Sequence, residues 1–215
     1  MVSKPNFFID TNIIIDYLFL EEILEDPKKD EFILYDLYKP SIDLLKIIFE
    51  NKAKIRSCTS FLNLCEIPKV LIENLVMAKM YSKGVPFNYF NKYRSKFLKD
   101  KKAQNEIRKL IRNYYNSITR NKLWFMKPIS LPIKNLKEFK EIDKLRIKFG
   151  LALIDALIFF HAKTEKGYFV TRDSDFLENK ELKNAYKKIK IVHPKEAIEI
   201  INKKFLIPKK RKKKK

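Results

Sequence analysis

Four acidic residues lie where an isolated charge would be costly, and their types and spacing suggest chemistry. Asp10 follows the apolar run NFFI, Glu66 lies within SFLNLCEIPKVL, Asp155 interrupts LALIDALIFF, and Asp173 follows the run YFVTR. A carboxylate among apolar neighbours must be capped, paired with a base or bound to a cation, because its unpaired burial costs several kcal/mol. Taken singly, each has a structural explanation as a helix cap, an ion pair or a turn residue.

Taken together, these carboxylates indicate a metal site. Asp10 and Asp173 follow two predicted parallel strands, and ligands bind at the carboxyl ends of the strands in an open parallel sheet. Glu66 and Asp155 are expected in the first or second turn of helices that start from the same edge. Carboxylates without clustered His or Cys favour Mg²⁺ or Mn²⁺ over zinc. Phosphodiester hydrolysis suits such a site, because the ion activates water and neutralises charge on the leaving oxygen.

The elements that must position these residues alternate between strands and helices. Short strands are predicted at residues 6–10, 55–59, 123–132, 167–171 and 189–193. Helices are predicted from Thr11, in fragments around Pro27, after Pro40, and over 61–81, 87–123, 133–149, 153–164 and 195–204. Pro68 marks either a kink or a helix start, and Pro128 confines its strand to a sheet edge. The alternation predicts an α/β fold with a parallel five-stranded sheet.

Positive charge is concentrated in one internal segment and in the last eight residues. The formal net charge is +21 at pH 7. Residues 91–148 hold 18 Lys and Arg against 5 Asp and Glu, whereas residues 1–90 hold 11 against 13. This asymmetry is typical of a polyanion binder, although a lysine-rich solvated surface would account for part of it. The basic tail, residues 208–215, is predicted to be disordered and fits a nucleic-acid tether, an anionic-membrane contact or an import signal equally well.

Several protein classes are excluded by composition. With 46% hydrophobic residues the chain is neither disordered throughout nor low in complexity. The two cysteines, Cys58 and Cys65, indicate a reducing compartment, so we expect a cytoplasmic protein that makes no membrane contact through a spanning helix. Three glycines leave no Gly-rich phosphate loop. His161 and His193 are too scattered for a zinc set or a triad and are interpreted as structural.

The motifs resemble those of PIN domains, the fold of many metal-dependent ribonucleases, including the toxin subunits of VapBC-type toxin–antitoxin pairs. The resemblance is carried by FFIDTNIIIDY, the helix around Glu66, GLALIDALIFFHAK and YFVTRDSDF, in that order. It covers about residues 5–20, 55–75 and 123–205. The resemblance implies a PIN-like parallel five-stranded sheet with helices on both faces, and ribonuclease activity that requires Mg²⁺ or Mn²⁺.

The resemblance also implies roles for individual residues. Asp10, Glu66 and Asp155 would be catalytic metal ligands, with Asp173 as the fourth and Asp175, in the same turn, as its alternative. Four further residues would support these ligands or contact phosphate: Thr11, Asn12, Thr171 and Arg172.

The sequence departs from small toxin-like PIN domains in an acidic stretch at residues 21–54 and a basic helical insertion at about residues 76–122. We therefore expect a single PIN-like domain over residues 1–207 that carries the insertion, followed by the basic tail. The insertion could be an RNA platform, with bases holding phosphates and aromatic rings stacking on unpaired bases. Alternatively, its aromatic residues pack it onto the body of the domain.

The leading hypothesis is a metal-dependent endoribonuclease, either a toxin or an RNA-processing enzyme. Its expected partners are RNA, an antitoxin-like protein and a second copy of the chain in a homodimer. The alternative is a non-catalytic PIN-like RNA-binding or ribosome-assembly factor, in which the basic insertion carries the function.

Overall fold

Five short strands form one parallel sheet at the centre of the molecule. The computed structural model describes residues 4–23, 32–119, 126–129 and 135–206. Its strands are β1 (Asn6–Ile9), β2 (Arg56–Ser60), β3 (Met126–Ile129), β4 (Gly167–Val170) and β5 (Ile189–Val192). They lie in the order β3-β2-β1-β4-β5, and every neighbouring pair is parallel. The prediction of an α/β fold with a parallel sheet is confirmed.

Ten α-helices connect or follow the strands within the described ranges. They are α1 (Thr11–Ile23), α2 (Phe32–Glu50), α3 (Phe61–Tyr81), α4 (Phe90–Lys99), α5 (Lys101–Thr119), α6 (Leu136–Phe149), α7 (Leu153–Glu165), α8 (Ser174–Leu177), α9 (Lys180–Ala185) and α10 (Pro194–Ile201). A 3₁₀ turn, Phe87–Tyr89, precedes α4, and a π-helical turn, Asn202–Leu206, follows α10. None of these helices is both long and apolar enough to cross a membrane.

The two faces of the sheet are covered by different helices, because successive side chains of a strand point to opposite faces. Phe7 and Ile9 of β1 belong to one apolar core, to which α1, α2, α3, α5 and α10 contribute. Phe8 belongs to a second core, built with α6, α7, α8 and α9. Burial on both faces explains why β1 reads as a nearly continuous apolar run in the sequence.

Two helix predictions need correction, and one alternative is decided. A separate helix was expected to follow Pro40, but α2 runs without a break from Phe32 and contains Pro40, since packing of its apolar face offsets the missing backbone donor. The predicted helical stretch over 87–123 is interrupted at Asp100, whose carboxylate accepts a hydrogen bond from the Ala103 amide and so starts α5. Of the two alternatives for Pro68, the helix start is ruled out, because Pro68 lies inside α3.

The remaining predictions concern the strand that contains Pro128 and segments outside the described residues. The strand containing Pro128 lies at the sheet edge, as predicted, with β2 as its neighbour. The basic tail at 208–215, residues 24–31 of the acidic stretch, residues 120–122 of the insertion and residues 123–125 of the predicted third strand lie outside the described residues.

Candidate functional site

The candidate site lies at the topological switch point of the sheet, where the strand order reverses. Strands β2 and β3 lie on one side of β1, whereas β4 and β5 lie on the other. Loops leaving the two central strands at such a reversal go to opposite faces, which leaves a crevice at the carboxyl ends of the strands. Asp10 directly follows β1, and Thr171 directly follows β4. The Asp10 amide donates to the Val170 carbonyl at 3.1 Å, so the two loops leave the sheet side by side.

The Asp10 carboxylate is held by three hydrogen-bond donors and is 5% exposed. Its Oδ1 accepts from the Thr11 amide at 2.7 Å. Its Oδ2 accepts from the Thr171 hydroxyl at 2.6 Å and from the Asn12 side-chain amide at 3.0 Å. These donors are three of the four residues that the resemblance assigns to support of the ligands.

Asn12 and Thr171 also join the start of α1 to the turn after β4. The Asn12 side chain donates to the Thr171 hydroxyl at 3.1 Å and accepts from the Arg172 amide at 3.2 Å. The Asp173 amide donates to the Thr171 hydroxyl at 3.0 Å. The turn that carries Asp173 is therefore fixed relative to Asp10 through hydrogen bonds with short side chains.

Glu66 is brought to the same edge by the first turns of α3. Ser60 caps this helix by accepting from the Leu62 amide at 3.0 Å. Asn63, fully buried in the first turn, donates to the Ile9 carbonyl at 2.9 Å and so ties α3 to the end of β1. One turn later the half-buried Glu66 accepts from the Thr11 hydroxyl at 2.8 Å. Thr11 thus bonds to both Asp10 and Glu66.

Asp155 lies in the first turn of α7 and interacts with the carboxylates of neighbouring elements. Burial raises the pKa of Asp155 to about 6, and the negative charges of Asp173, Glu66 and Asp175 raise it as well. Burial is also the largest cause that raises the pKa of Asp10 to about 7, with smaller increases from Asp173 and Asp155 and opposing effects from the Thr171 and Thr11 hydrogen bonds. The structure therefore brings all the predicted acidic residues into one electrostatically coupled cluster.

Asp173 and Asp175 differ in their place in this cluster. Asp173 is half-buried, affects the pKa of both Asp10 and Asp155, and caps α8 by accepting from the Asp175 amide at 2.8 Å. Asp175 is exposed and raises the pKa of Asp155 but not that of Asp10. Asp173 is accordingly the more central of the two carboxylates.

The acidic cluster has no basic counterpart in the described part of the chain. The salt bridges there involve other acidic residues, and no base contributes to the raised pKa values of Asp10 and Asp155. In a protein with a net charge of +21, lysines and arginines are abundant enough to have neutralised these carboxylates. Among the described residues, therefore, no ion-paired base would compete with a bound cation for these carboxylates.

Arg172, which the resemblance assigns to the site, has its side chain in an ion pair instead. Its guanidinium donates to Asp16 at 2.5 Å and lies over the Tyr38 ring, 4.9 Å from the centroid. The Ser41 hydroxyl donates to the other oxygen of Asp16, which is 2% exposed. Arg172 contributes to the Asp10 region through its backbone amide, which bonds to Asn12.

The sequence interpretation missed Asp16 and Asn63 as residues that position the site. Asp16 interrupts the apolar run of α1 in the same way that Asp155 interrupts α7, so the signal used for Asp155 would have found it. Asn63 had no comparable signal, because a polar residue in the first turn of a helix is common. The two histidines occupy structural positions: buried His161 lies 3.0 Å from the Ser60 hydroxyl, and His193 caps α10.

The acidic cluster fits a hard divalent cation by its donor chemistry, though not by its present side-chain positions. Carboxylate oxygens without nearby thiols or imidazoles suit Mg²⁺ or Mn²⁺. Within the described ranges, however, no three Asp, Glu, His or Cys side chains stand close enough together to hold one ion. Mutual repulsion separates unpaired carboxylates, and a divalent cation would remove that repulsion.

Comparisons with known proteins add little to this description. No protein-family model and no curated protein matches the chain. Among solved structures, the chain is similar to VapBC2 from Rickettsia felis, which was crystallised bound to a DNA fragment from its promoter. The identity is 15%, the similarity covers 87% of this chain and 98% of the other, and the TM-score is 0.43. A likeness at this level carries no weight in the assignment of function, which depends on the site itself.

Proposed function

We propose that this protein is a metal-dependent endoribonuclease that hydrolyses RNA phosphodiester bonds at the edge of its parallel sheet. One observation carries the proposal: Asp10, Glu66, Asp155 and Asp173 form a coupled acidic cluster with no described basic partner. Keeping unpaired carboxylates in a partly buried site lowers the stability of the fold. A bound divalent cation would offset that loss, which makes a metal site the simplest reason for the arrangement.

In this proposal the four carboxylates hold Mg²⁺ or Mn²⁺, and Asp175 lies at the exposed rim as the alternative fourth ligand. A bound divalent cation supplies the positive charge that stabilises the negative charge developing on the phosphate. Thr11, Asn12 and Thr171 orient the oxygens of Asp10 by donating hydrogen bonds to them. Such donors also favour the ionised carboxylate over the neutral acid, which is the form a cation requires.

The proposal is tested by cleavage of an unstructured RNA with Mn²⁺ or Mg²⁺, using wild-type protein, Asp10→Asn and Asp155→Asn. Asp143→Asn is the matched control, because Asp143 is an exposed α6 residue whose described ion pair, with Arg146, lies at the surface. We expect each site variant to lose at least about a hundredfold in rate, since each removes a carboxylate that would bind the ion. Circular dichroism would verify folding. Equal cleavage by wild type and Asp10→Asn would refute the proposal.

A second function is favoured by one specific observation: the acidic side chains of the described residues do not converge on a single ion position. On that basis the chain would be a non-catalytic PIN-like RNA-binding or ribosome-assembly factor. Binding of RNA without cleavage, at an affinity unchanged by a metal chelator, would establish this function and exclude the first.

The biological setting of the nuclease is also a proposal. A cytoplasmic toxin would have an antitoxin-like protein partner, whereas an RNA-processing enzyme would not. Co-expression with any small protein encoded immediately upstream should abolish cleavage in the first case and leave it unchanged in the second. Sedimentation of the purified protein would test the expected homodimer.

A further inference from the structure

Helix α4 differs from an ordinary solvated helix in its charge pattern. Its sequence FNKYRSKFLK holds four bases and no acid. Lys92, Lys96 and Lys99 are exposed and follow one another at spacings of four and three residues, so they form a row on one side of the helix. With a rise of about 1.5 Å per residue, the row is about 10 Å long. We call these three residues the α4 lysine row.

The α4 lysine row lowers the stability of its own helix. Like charges four residues apart are unfavourable by a few tenths of a kcal/mol, and an exposed helix usually relieves this with alternating acids. Helix α6 shows the usual pattern, in which lysines alternate with Glu138, Glu141 and Asp143. None of the salt bridges described includes a lysine of the α4 row. Such a row is expected where a partner supplies the negative charge.

Half of the aromatic residues of the insertion, three on α4 and one on α5, pack it onto the body of the domain. Phe90, Tyr93 and Phe97 are half-buried, and the Tyr93 hydroxyl donates to the Lys79 carbonyl of α3 at 3.3 Å. Tyr114 of α5 is buried, and its hydroxyl donates to the Leu64 carbonyl at 2.7 Å. These rings pack the insertion onto α3, which agrees with the alternative interpretation of the aromatic residues.

Two rings in the 3₁₀ turn before α4 remain largely exposed. Tyr89 is 51% exposed and Phe87 is 62% exposed. Tyr89 precedes Lys92 by three residues and so begins the lysine row. Phe87 stacks on Phe90 with ring centroids 5.8 Å apart and planes 21° apart, which leaves its outer side to solvent. An exposed ring beside a row of lysines suits a strand whose bases are unpaired, because unpaired bases can stack on it.

We infer that the α4 lysine row and the rings of Phe87 and Tyr89 form a binding surface for single-stranded RNA. The lysines contact successive phosphates, and the rings stack on bases at one end of the row. The inference rests on the proposed function in one respect, namely that RNA is the substrate, and this surface would increase the affinity of the protein for it. An acidic protein would be attracted to the lysines but would not require the rings.

The test measures binding of the full-length protein to a fluorescent, uridine-rich RNA in the presence of EDTA, which separates binding from cleavage. The triple variant Lys92→Gln, Lys96→Gln, Lys99→Gln is compared with Lys137→Gln, Lys140→Gln, Lys144→Gln. The control lysines are also exposed, lie on one helix at similar spacing and change the net charge equally. The expected result is a loss of affinity of at least about tenfold for the α4 triple variant, with the salt slope reduced by about two, at about 0.7 per phosphate contact. Equal losses in both triple variants would overturn the inference.

The role of the rings is tested by Tyr89→Ala, with Phe139→Ala of α6, also an exposed aromatic residue, as the control. Tyr89→Ala should weaken single-strand binding by about fivefold or more without changing the salt slope, whereas Phe139→Ala should have no effect. Wild-type binding to duplex RNA as tight as to single strands, or no effect of Tyr89→Ala, would overturn the inference and indicate a general polyanion or acidic-protein surface. Because no cleavage is required, an inactive protein that shows these losses would retain the inference while refuting the nuclease proposal.

Discussion

The buried carboxylate of Asp10 should make the metal-free protein less stable as the pH rises, and Asp10→Asn should remove that dependence. The pKa of Asp10 is raised from 3.8 to about 7 in the folded state, mainly by burial. Between these two values the folded state binds more protons than the unfolded state, so stability falls as the pH increases. The destabilisation by Asp10 is small below about pH 4 and reaches nearly its full size above about pH 7.

The size of the effect follows from the shift in pKa. A shift of one pKa unit corresponds to about 1.4 kcal/mol, so ionising Asp10 in the fold costs about 4 kcal/mol above pH 7. Between pH 5 and pH 8 the free energy of unfolding should fall by about 2–3 kcal/mol because of Asp10 alone. Asn at this position cannot ionise, and therefore the variant should lack this part of the pH dependence.

Urea denaturation at pH 5 and pH 8 in EDTA measures the difference. The asparagine amide would face the Asn12 amide that now donates to Oδ2, which costs stability at both pH values. Comparing the change between the two pH values within each protein removes that constant term. The matched control Asp143→Asn, an exposed site on α6, should retain the wild-type pH dependence.

Addition of Mn²⁺ should reverse the loss at pH 8 in wild type and have much less effect in Asp10→Asn. A ligand that binds only the folded state stabilises it in proportion to the logarithm of its concentration above Kd. If wild type and Asp10→Asn lose the same stability between pH 5 and pH 8 in EDTA, the burial cost assigned to Asp10 is wrong. If both gain equally from Mn²⁺, Asp10 is not a ligand.

Two further predictions concern residues that support the site and the sheet. Thr171→Val removes the hydroxyl that donates to Asp10, so the pKa of Asp10 should rise further. The pH at which Mn²⁺ stabilises the protein should then increase by about one unit. Thermal shifts across pH with and without Mn²⁺ would measure this midpoint, and an unchanged midpoint would contradict the prediction. Gly167→Ala should cost at least about 3 kcal/mol, because φ at Gly167 is +106° and a Cβ atom would lie 2.4 Å from the Asn6 carbonyl oxygen of β1. The control Gly84→Ala, at φ +64° with no atom within 4 Å of the added Cβ, should cost only about 1–2 kcal/mol. If urea denaturation gives equal losses of stability for the two variants, the close approach of Gly167 to β1 does not matter.

Much of the fold could be predicted because its elements carry local signals. The bounds of α3, from Phe61 to Tyr81, follow from the Ser60 cap and the apolar periodicity. The edge position of β3 follows from Pro128, which cannot donate in a central strand. The start of α2 at Phe32 had no such signal, since its helical path through Pro40 depends on packing against α1.

The chain's own sequence determined the short buried strands, the caps and the kinds of residue that could hold a hard cation. Apolar runs, cap side chains and carboxylates express these properties within a few residues of the chain. Only the tertiary structure decided that Arg172 pairs with Asp16 while the Asp10 cluster remains without a described base. This pairing depends on which distant side chains the order of the strands brings together. Arg172 and Asp16 lie 156 positions apart in the chain, so no local sequence pattern predicts their contact.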